Sequence, residues 1–130
     1  MGKGIEMEVF FGALADRTRL RLLNVLGNQE VCVCFLVEVL KTNQPNVSRH
    51  LAYLRRAGIV AARRDGKWMH YRVVLPDHPE AVRVFQEIRS WLARDPEMQR
   101  DRRLLAKVCC GSPLPVVLRP SPKHHASVQV

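Results

Sequence analysis

Two β-prone runs, Ile59-Val60-Ala61-Ala62-Arg63-Arg64 and Lys67-Trp68-Met69-His70-Tyr71-Arg72-Val73-Val74, flank Asp65-Gly66 in a chain whose other segments repeat with helical spacing. Asp-Gly between such runs is a strong hairpin signal, because a tight turn there joins antiparallel strands with almost no loop. The chain therefore cannot be a plain helical bundle. It must pack helices against a short antiparallel ribbon, which makes it mainly α with a β-hairpin.

Helices fill the sequence on both sides of that ribbon. Residues 5–13 carry Ile5, Val9, Phe10 and Phe11, with Leu14 just beyond, too many apolar faces for a surface helix; this segment is expected to pack against another subunit. Asp16 reads as an N-cap for residues 17–26, where Leu20, Leu23 and Leu26 recur at helical spacing and Gly27 ends the run. Residues 34–40 read as a short third helix, and Thr42-Asn43-Gln44-Pro45 as a turn into a fourth, with Pro45 in the first turn, where its missing N–H costs nothing. In that fourth helix Val47, Leu51 and Leu54 face inward while Gln44, Ser48 and Arg49 face outward. Residues 80–92, after Pro79, and 97–110 read as two further helices.

Three helices followed by a basic hairpin form the order of a winged helix-turn-helix. In that order the helix from Gln44 enters a major groove. Gln44, Ser48 and Arg49 supply donors and acceptors for base edges, and Arg63, Arg64, Lys67 and Arg72 on the hairpin suit backbone phosphates. The net charge of +9, from 21 Lys and Arg against 12 acids, favours a polyanionic partner. A single such reader binds weakly, so the apolar first helix and the helix around Trp91 are expected to form a two-fold dimer on palindromic double-stranded DNA.

The length of 130 residues suits one domain. We expect it over residues 1–110, followed by a flexible tail over 111–130, where Pro113, Pro115, Pro120 and Pro122 accompany Ser, Lys and His. No apolar run is long enough to span a bilayer and the start lacks the pattern of a secretory signal, so a cytoplasmic location and no membrane partner are expected. No Gly-rich phosphate loop or coherent acid/base set appears, which argues against an enzyme.

Cys32 and Cys34, separated by one residue, stand a few residues before the groove-reading helix, and Cys109 and Cys110 are adjacent near the end of the last helix. In a reducing compartment, closely spaced cysteines suggest thiol ligands or redox centres rather than structural disulfides. Thiolates favour soft ions, and a helix N-terminus lowers a thiol pKa. Residues at i and i+2 of a regular helix point to nearly opposite sides, so both sulfurs should meet one ion only if the first turn of the third helix unwinds. A thiol–disulfide switch on the same DNA module and, from another class, a thiol-based soft-metal carrier are the competing readings.

The runs from Ala13 to Leu23, Glu30-Val31-Cys32-Val33-Cys34, Gln44 to Val60 and Arg63 to Tyr71 together resemble the ArsR/SmtB family of winged-helix repressors, in its arsenic-responsive branch. The resemblance implies a homodimer that represses a resistance operon and leaves its operator when a trivalent arsenical, arsenite or an organoarsenical, or antimonite, binds cysteine thiolates. It also exposes a departure. The third cysteine of the arsenic pattern, three residues after Cys34, is Val37, and the acid after Cys34 is Phe35. A third thiolate would then come from Cys109 or Cys110, giving Cys32, Cys34, Cys109 and Cys110 as the metal-ligating set. The helix from Glu80 lacks the spaced His and Asp of the family's zinc sites, so no zinc is expected.

Overall fold

The structure, a computed structural model, describes residues 6–110; the tail expected over 111–130 lies outside the described residues. The elements run α1 (Met7–Leu14), α2 (Arg17–Leu26), β1 (Val31–Cys32), α3 (Val33–Leu40), α4 (Gln44–Arg56), β2 (Val60–Asp65), β3 (Trp68–Val73), α5 (Pro79–Arg94) and α6 (Pro96–Leu105), closing in a π-helical turn, Ala106–Cys110.

Local chemistry sets the boundaries. Asp16 is extended and its carboxylate accepts the Arg19 amide at 3.0 Å. Asn43 caps α4 in the same way, accepting the Asn46 amide at 2.9 Å. Each cap satisfies one of the amides that a helix start leaves without a partner. Pro45, Pro79 and Pro96 sit in first turns. Val47, Leu51 and Leu54 are fully buried, as the spacing requires, in one core with Leu22, Leu26, Leu36, Ile59 and Phe85. Each such side chain contributes about 1.5–3 kcal/mol over its exposed state.

Four expectations are corrected. The third helix begins at Val33, and Cys32 lies before it in a strand. Val31 and Cys32 pair antiparallel with Tyr71 and His70, so the ribbon is a three-stranded sheet of order β1-β3-β2. The hairpin turn falls one residue later than Asp65-Gly66: Asp65 pairs with Trp68, leaving Gly66-Lys67 as the loop, and Gly66 takes φ 66°, the left-handed first position of a type II′ turn. The apolar residues of the first helix are shared between two sides: Phe10, Ala13 and Leu14 enter its own chain's core, and Met7 and Phe11 stay exposed. Finally, the last helix changes pitch at Ala106 instead of running regularly to Cys110.

α6 is clamped along α2. Arg21 donates to both carboxylate oxygens of Asp101, at 2.8 and 3.1 Å, and the Asn24 amide donates to the Met98 carbonyl at 2.8 Å. The Arg102 guanidinium covers the Asn24 carbonyl and that of Arg89 covers the Gly27 carbonyl. Both cations lie at the C-terminus of α2, where carbonyls lack helical partners and the dipole favours positive charge. So held, α6 delivers its π-helical turn onto α3.

Candidate nucleic-acid interface and thiol pair

α4 is amphipathic in the sense its spacing requires. Gln44 and Arg49 are exposed and Ser48 is half-buried beside them, opposite the buried Val47, Leu51 and Leu54. Arg49 donates to the Asn46 side chain, and Asn46 in turn donates to the Thr42 hydroxyl at 3.2 Å. The first turn of α4 therefore presents a hydrogen-bonded row of polar groups rather than loose side chains.

On the hairpin Arg63, Arg64, Lys67 and Arg72 are all exposed. They are not equivalent. Arg63 forks onto Glu30 at 2.6 and 3.0 Å, so part of its charge is spent within the fold, while Arg64 reaches the Gly66 carbonyl at 3.2 Å. Among the described residues no ion pair holds Lys67 or Arg72.

Arg19, which the sequence reading passed over, ties this face to the rest of the molecule. It donates to the Ala13 and Gly12 carbonyls at 3.1 and 2.9 Å, contacts His50 Nδ1 at 3.2 Å, and lies 4.1 Å over the Tyr53 ring. Thus α1, α2 and α4 meet at one guanidinium. An arginine three residues after an N-cap is ordinary in an amphipathic helix, so spacing alone carried no signal of this role.

The structure brings Cys32 and Cys34 together. Cys32, fully buried, is the extended N-cap residue of α3, and Cys34 sits in the first turn, with the Cys34 thiol donating to Cys32 across 3.3 Å. The expectation that the helix must unwind for the sulfurs to converge is therefore wrong. Only Cys34 is helical, and the 100° rotation argument does not apply to a residue with φ −70° and ψ 143°.

The Cys32 thiol is held at about 7. The Cys34 hydrogen bond is the main cause; burial opposes it, and the backbone amides of Cys34 and Val33 at the helix start assist. Cys34 is pushed well up by the same hydrogen bond, by burial and by the Cys32 charge. The pair thus shares one proton near neutrality, and the second is hard to remove.

Cys109 lies in the π-helical turn and is buried in the same core as Cys32, while the Cys110 side chain lies outside the described part. Among the described residues no group of three or more His, Cys, Asp or Glu is placed to hold a metal ion. Two sulfurs are in contact, and the π-helical turn that carries Cys109 packs on α3. Through β1 the thiol pair also joins the hairpin, since Cys32 sits opposite His70, a fully buried histidine whose Nδ1 has no hydrogen-bond partner among the described residues. Burial chiefly, then Arg63, lowers the His70 pKa.

Three packed helices with a polar groove-reading helix and a two-stranded basic hairpin define a winged helix-turn-helix, a class of DNA readers. Residues 16–62 match the family described as "Bacterial regulatory protein, arsR family". The chain is 39% identical over 102 residues to the arsenical resistance operon repressor of Escherichia coli (strain K12), an alignment covering 78% of this chain and 86% of that protein. Among solved structures it is similar to the AntR antimony-specific transcriptional repressor (32% identity, 72% of this chain and 80% of that chain, TM-score 0.53). It is also similar to the homodimeric winged helix-turn-helix DNA-binding domain Mb0332 from Mycobacterium bovis (26% identity, 67% and 78%, TM-score 0.55). The chain belongs to the arsR family of bacterial regulatory proteins, as a DNA-binding transcriptional repressor and not an enzyme.

Proposed function

We propose that this repressor holds a palindromic operator as a homodimer and releases it when a trivalent arsenical, arsenite or an organoarsenical, binds Cys32 and Cys34, with Cys109 or Cys110 completing a three-sulfur shell where the ligand requires one. The observation that carries the reading is the 3.3 Å approach of the two sulfurs at the start of α3. Two thiolates on one ion, with metal–sulfur bonds of about 2.3 Å and angles of about 90–110°, stand roughly 3.3–3.8 Å apart. The pair is preorganised for a shared soft ion. An ion already bearing one carbon substituent needs only these two, and one with three open valences draws on the π-helical turn.

The path to DNA follows from Cys32 belonging to two elements. It caps α3, which leads into α4, and it ends β1, which pairs with the wing strand β3. Closing a sulfur shell that includes Cys109 shifts α3 against α6, and this gives the ligand the differential affinity for two states that a switch needs. In this reading Gln44, Ser48 and Arg49 address base edges, and Arg63, Arg64, Lys67 and Arg72 address phosphates. Residues 1–110 form the DNA-binding and dimerisation domain, with 111–130 following it. The working site is the cytoplasm; no helix among the described residues is long and apolar enough to cross a membrane.

Dimerisation is supported by an apolar strip along α1 and α5, where Met7, Phe11, Val84 and Trp91 are exposed at 69%, 49%, 36% and 68%. Two clefts that share Val84 run along it. Exposed apolar side chains gathered on α1 and α5 suit association with a second copy of the chain.

Fluorescence anisotropy of the full chain on its own promoter fragment tests the proposal. Arsenite and phenylarsenite release the wild-type protein, Cys34→Ser stays bound with both, and Cys109→Ser/Cys110→Ser loses the response to arsenite more than to phenylarsenite. Full release of Cys34→Ser would remove the thiol pair from the mechanism. A Cys34 thiol donating to an acidic Cys32 also suits oxidation to a disulfide, so release by peroxide without arsenical, reversed by dithiothreitol, would favour a redox signal instead.

A further inference from the structure

We propose that α6 is a second DNA-contacting element, its basic face holding phosphates that flank the groove read by α4. Arg100 and Arg103 share one face of α6 at i and i+3, Lys107 follows in the π-helical turn, and all three are exposed. Together with Lys41 they line a cleft of about 510 Å³ between α6 and the end of α3.

The acid in this cleft is not available to them. Asp101 is taken by both arms of Arg21, and Glu97, one turn earlier, pairs with Arg17. Glu38, exposed on α3, does not line the cleft. Among the described residues no ion pair reaches Lys41, Arg100, Arg103 or Lys107. Four cations gathered around a single acid that is already paired repel one another, a cost that a polyanion along the cleft turns into binding energy.

The position of Lys41 selects duplex DNA as that polyanion. Lys41 follows the last residue of α3 in the left-handed conformation, φ 57°, its amide donating to the Val37 carbonyl at 2.9 Å; two residues later Asn43 caps α4. The cleft is therefore continuous with the N-terminus of the groove-reading helix. When α4 lies in a major groove, Lys41 stands at the groove's edge and α6 extends the basic surface along the adjoining backbone. Such contacts fix position and affinity and carry no sequence information.

This inference rests on the reading that α4 enters DNA, and salt titration separates the two. The affinity of the full chain for a long operator duplex, for the same duplex trimmed to its half-sites, and for an unrelated duplex is measured across potassium chloride concentration. The variants are Arg100→Gln/Arg103→Gln/Lys107→Gln and, separately, Lys41→Gln, with thermal unfolding as a control on folding. At about 0.9 per neutralised phosphate, the triple variant lowers the slope of log K against log salt by roughly 2.7 per protomer, and Lys41→Gln by roughly 0.9. The ratio of operator to unrelated-duplex affinity is unchanged, and trimming the flanks weakens the wild type but not the triple variant. Wild-type slopes in both variants would overturn the role of α6 and leave the cleft to an acidic protein or RNA, whereas a wild-type chain that shows no preference for its operator would overturn the DNA reading itself.

Discussion

Replacing Asp101 with alanine removes the acid on which the docking of α6 turns. Arg21 gives it two charge-assisted hydrogen bonds, 2.8 and 3.1 Å, in a setting where the Arg21 side chain is 23% exposed and that of Asp101 9%. A fully exposed pair contributes about 0–1 kcal/mol. Breaking a fully buried one costs about 3–5 kcal/mol, because a charge is stranded. Arg21 retains partial access to water, which places Asp101→Ala between these limits, at about 2 kcal/mol. Arg21 stays charged when its partner is removed, because a guanidinium keeps its proton throughout the range in which a protein folds. With a urea dependence of about 2 kcal/mol per M for a domain of this size, the midpoint falls by about 1 M, at fixed protein concentration because the chain is proposed to dimerise. Arg21→Leu/Asp101→Leu recovers most of the loss, since no charge is then left alone. A midpoint within about 0.2 M of wild type for Asp101→Ala, roughly a fifth of the expected fall, would refute the argument that this pair clamps α6.

Three further outcomes follow from the geometry. Cys34→Ala removes the main cause of the low Cys32 pKa, so Cys32 moves from about 7 toward the ordinary thiol value of about 8.5, and its thiolate fraction at neutral pH drops from about half to about 3%. Ultraviolet thiolate absorbance follows this change, and an unmoved titration would assign the acidity to the helix amides alone. Trp91→Ser, on the exposed strip of α5, weakens self-association by about tenfold or more in sedimentation equilibrium while leaving the monomer folded; unchanged association would move the dimer contact elsewhere. Burial first, then Arg63, lowers the His70 pKa, and burial lowers that of His50. The stability they contribute is present above the unfolded value of about 6.5 and is lost as pH falls below it, because the unfolded chain then binds protons that the folded one refuses. The urea midpoint therefore drops between about pH 7.5 and 5.5, less so in His70→Gln, and a flat profile in the wild type would contradict it.

The helices were legible because their signals are local. Asp16 as a cap, Val47, Leu51 and Leu54 as an inward row, and Pro79 at a helix start each depend on residues within a turn or two, and each stands where the spacing puts it. β1 was not legible, since two residues cannot display an alternating pattern, and the strand exists only because Tyr71 and His70 arrive beside it. That omission misled the stereochemistry of Cys32, which was treated as helical. Arg21 and Asp101, 80 positions apart in sequence, and Arg63 and Glu30 were equally hidden, because nothing near either residue names its partner. The thiol pair was visible as a motif, but its shared proton needed coordinates.

β1 makes just two residue pairs with β3, Val31 with Tyr71 and Cys32 with His70. So short a strand can detach at a small fraction of the global unfolding free energy, as brief, low-stability segments do. The buried Cys32 thiol thus needs no permanent channel to solvent. A fleeting opening of this one bridge exposes Cys32, and hydrogen exchange at the amides of residues 31–32 and 70–71 should run faster than in the centre of α4, with the opening rate setting how soon a buried thiol can be reached.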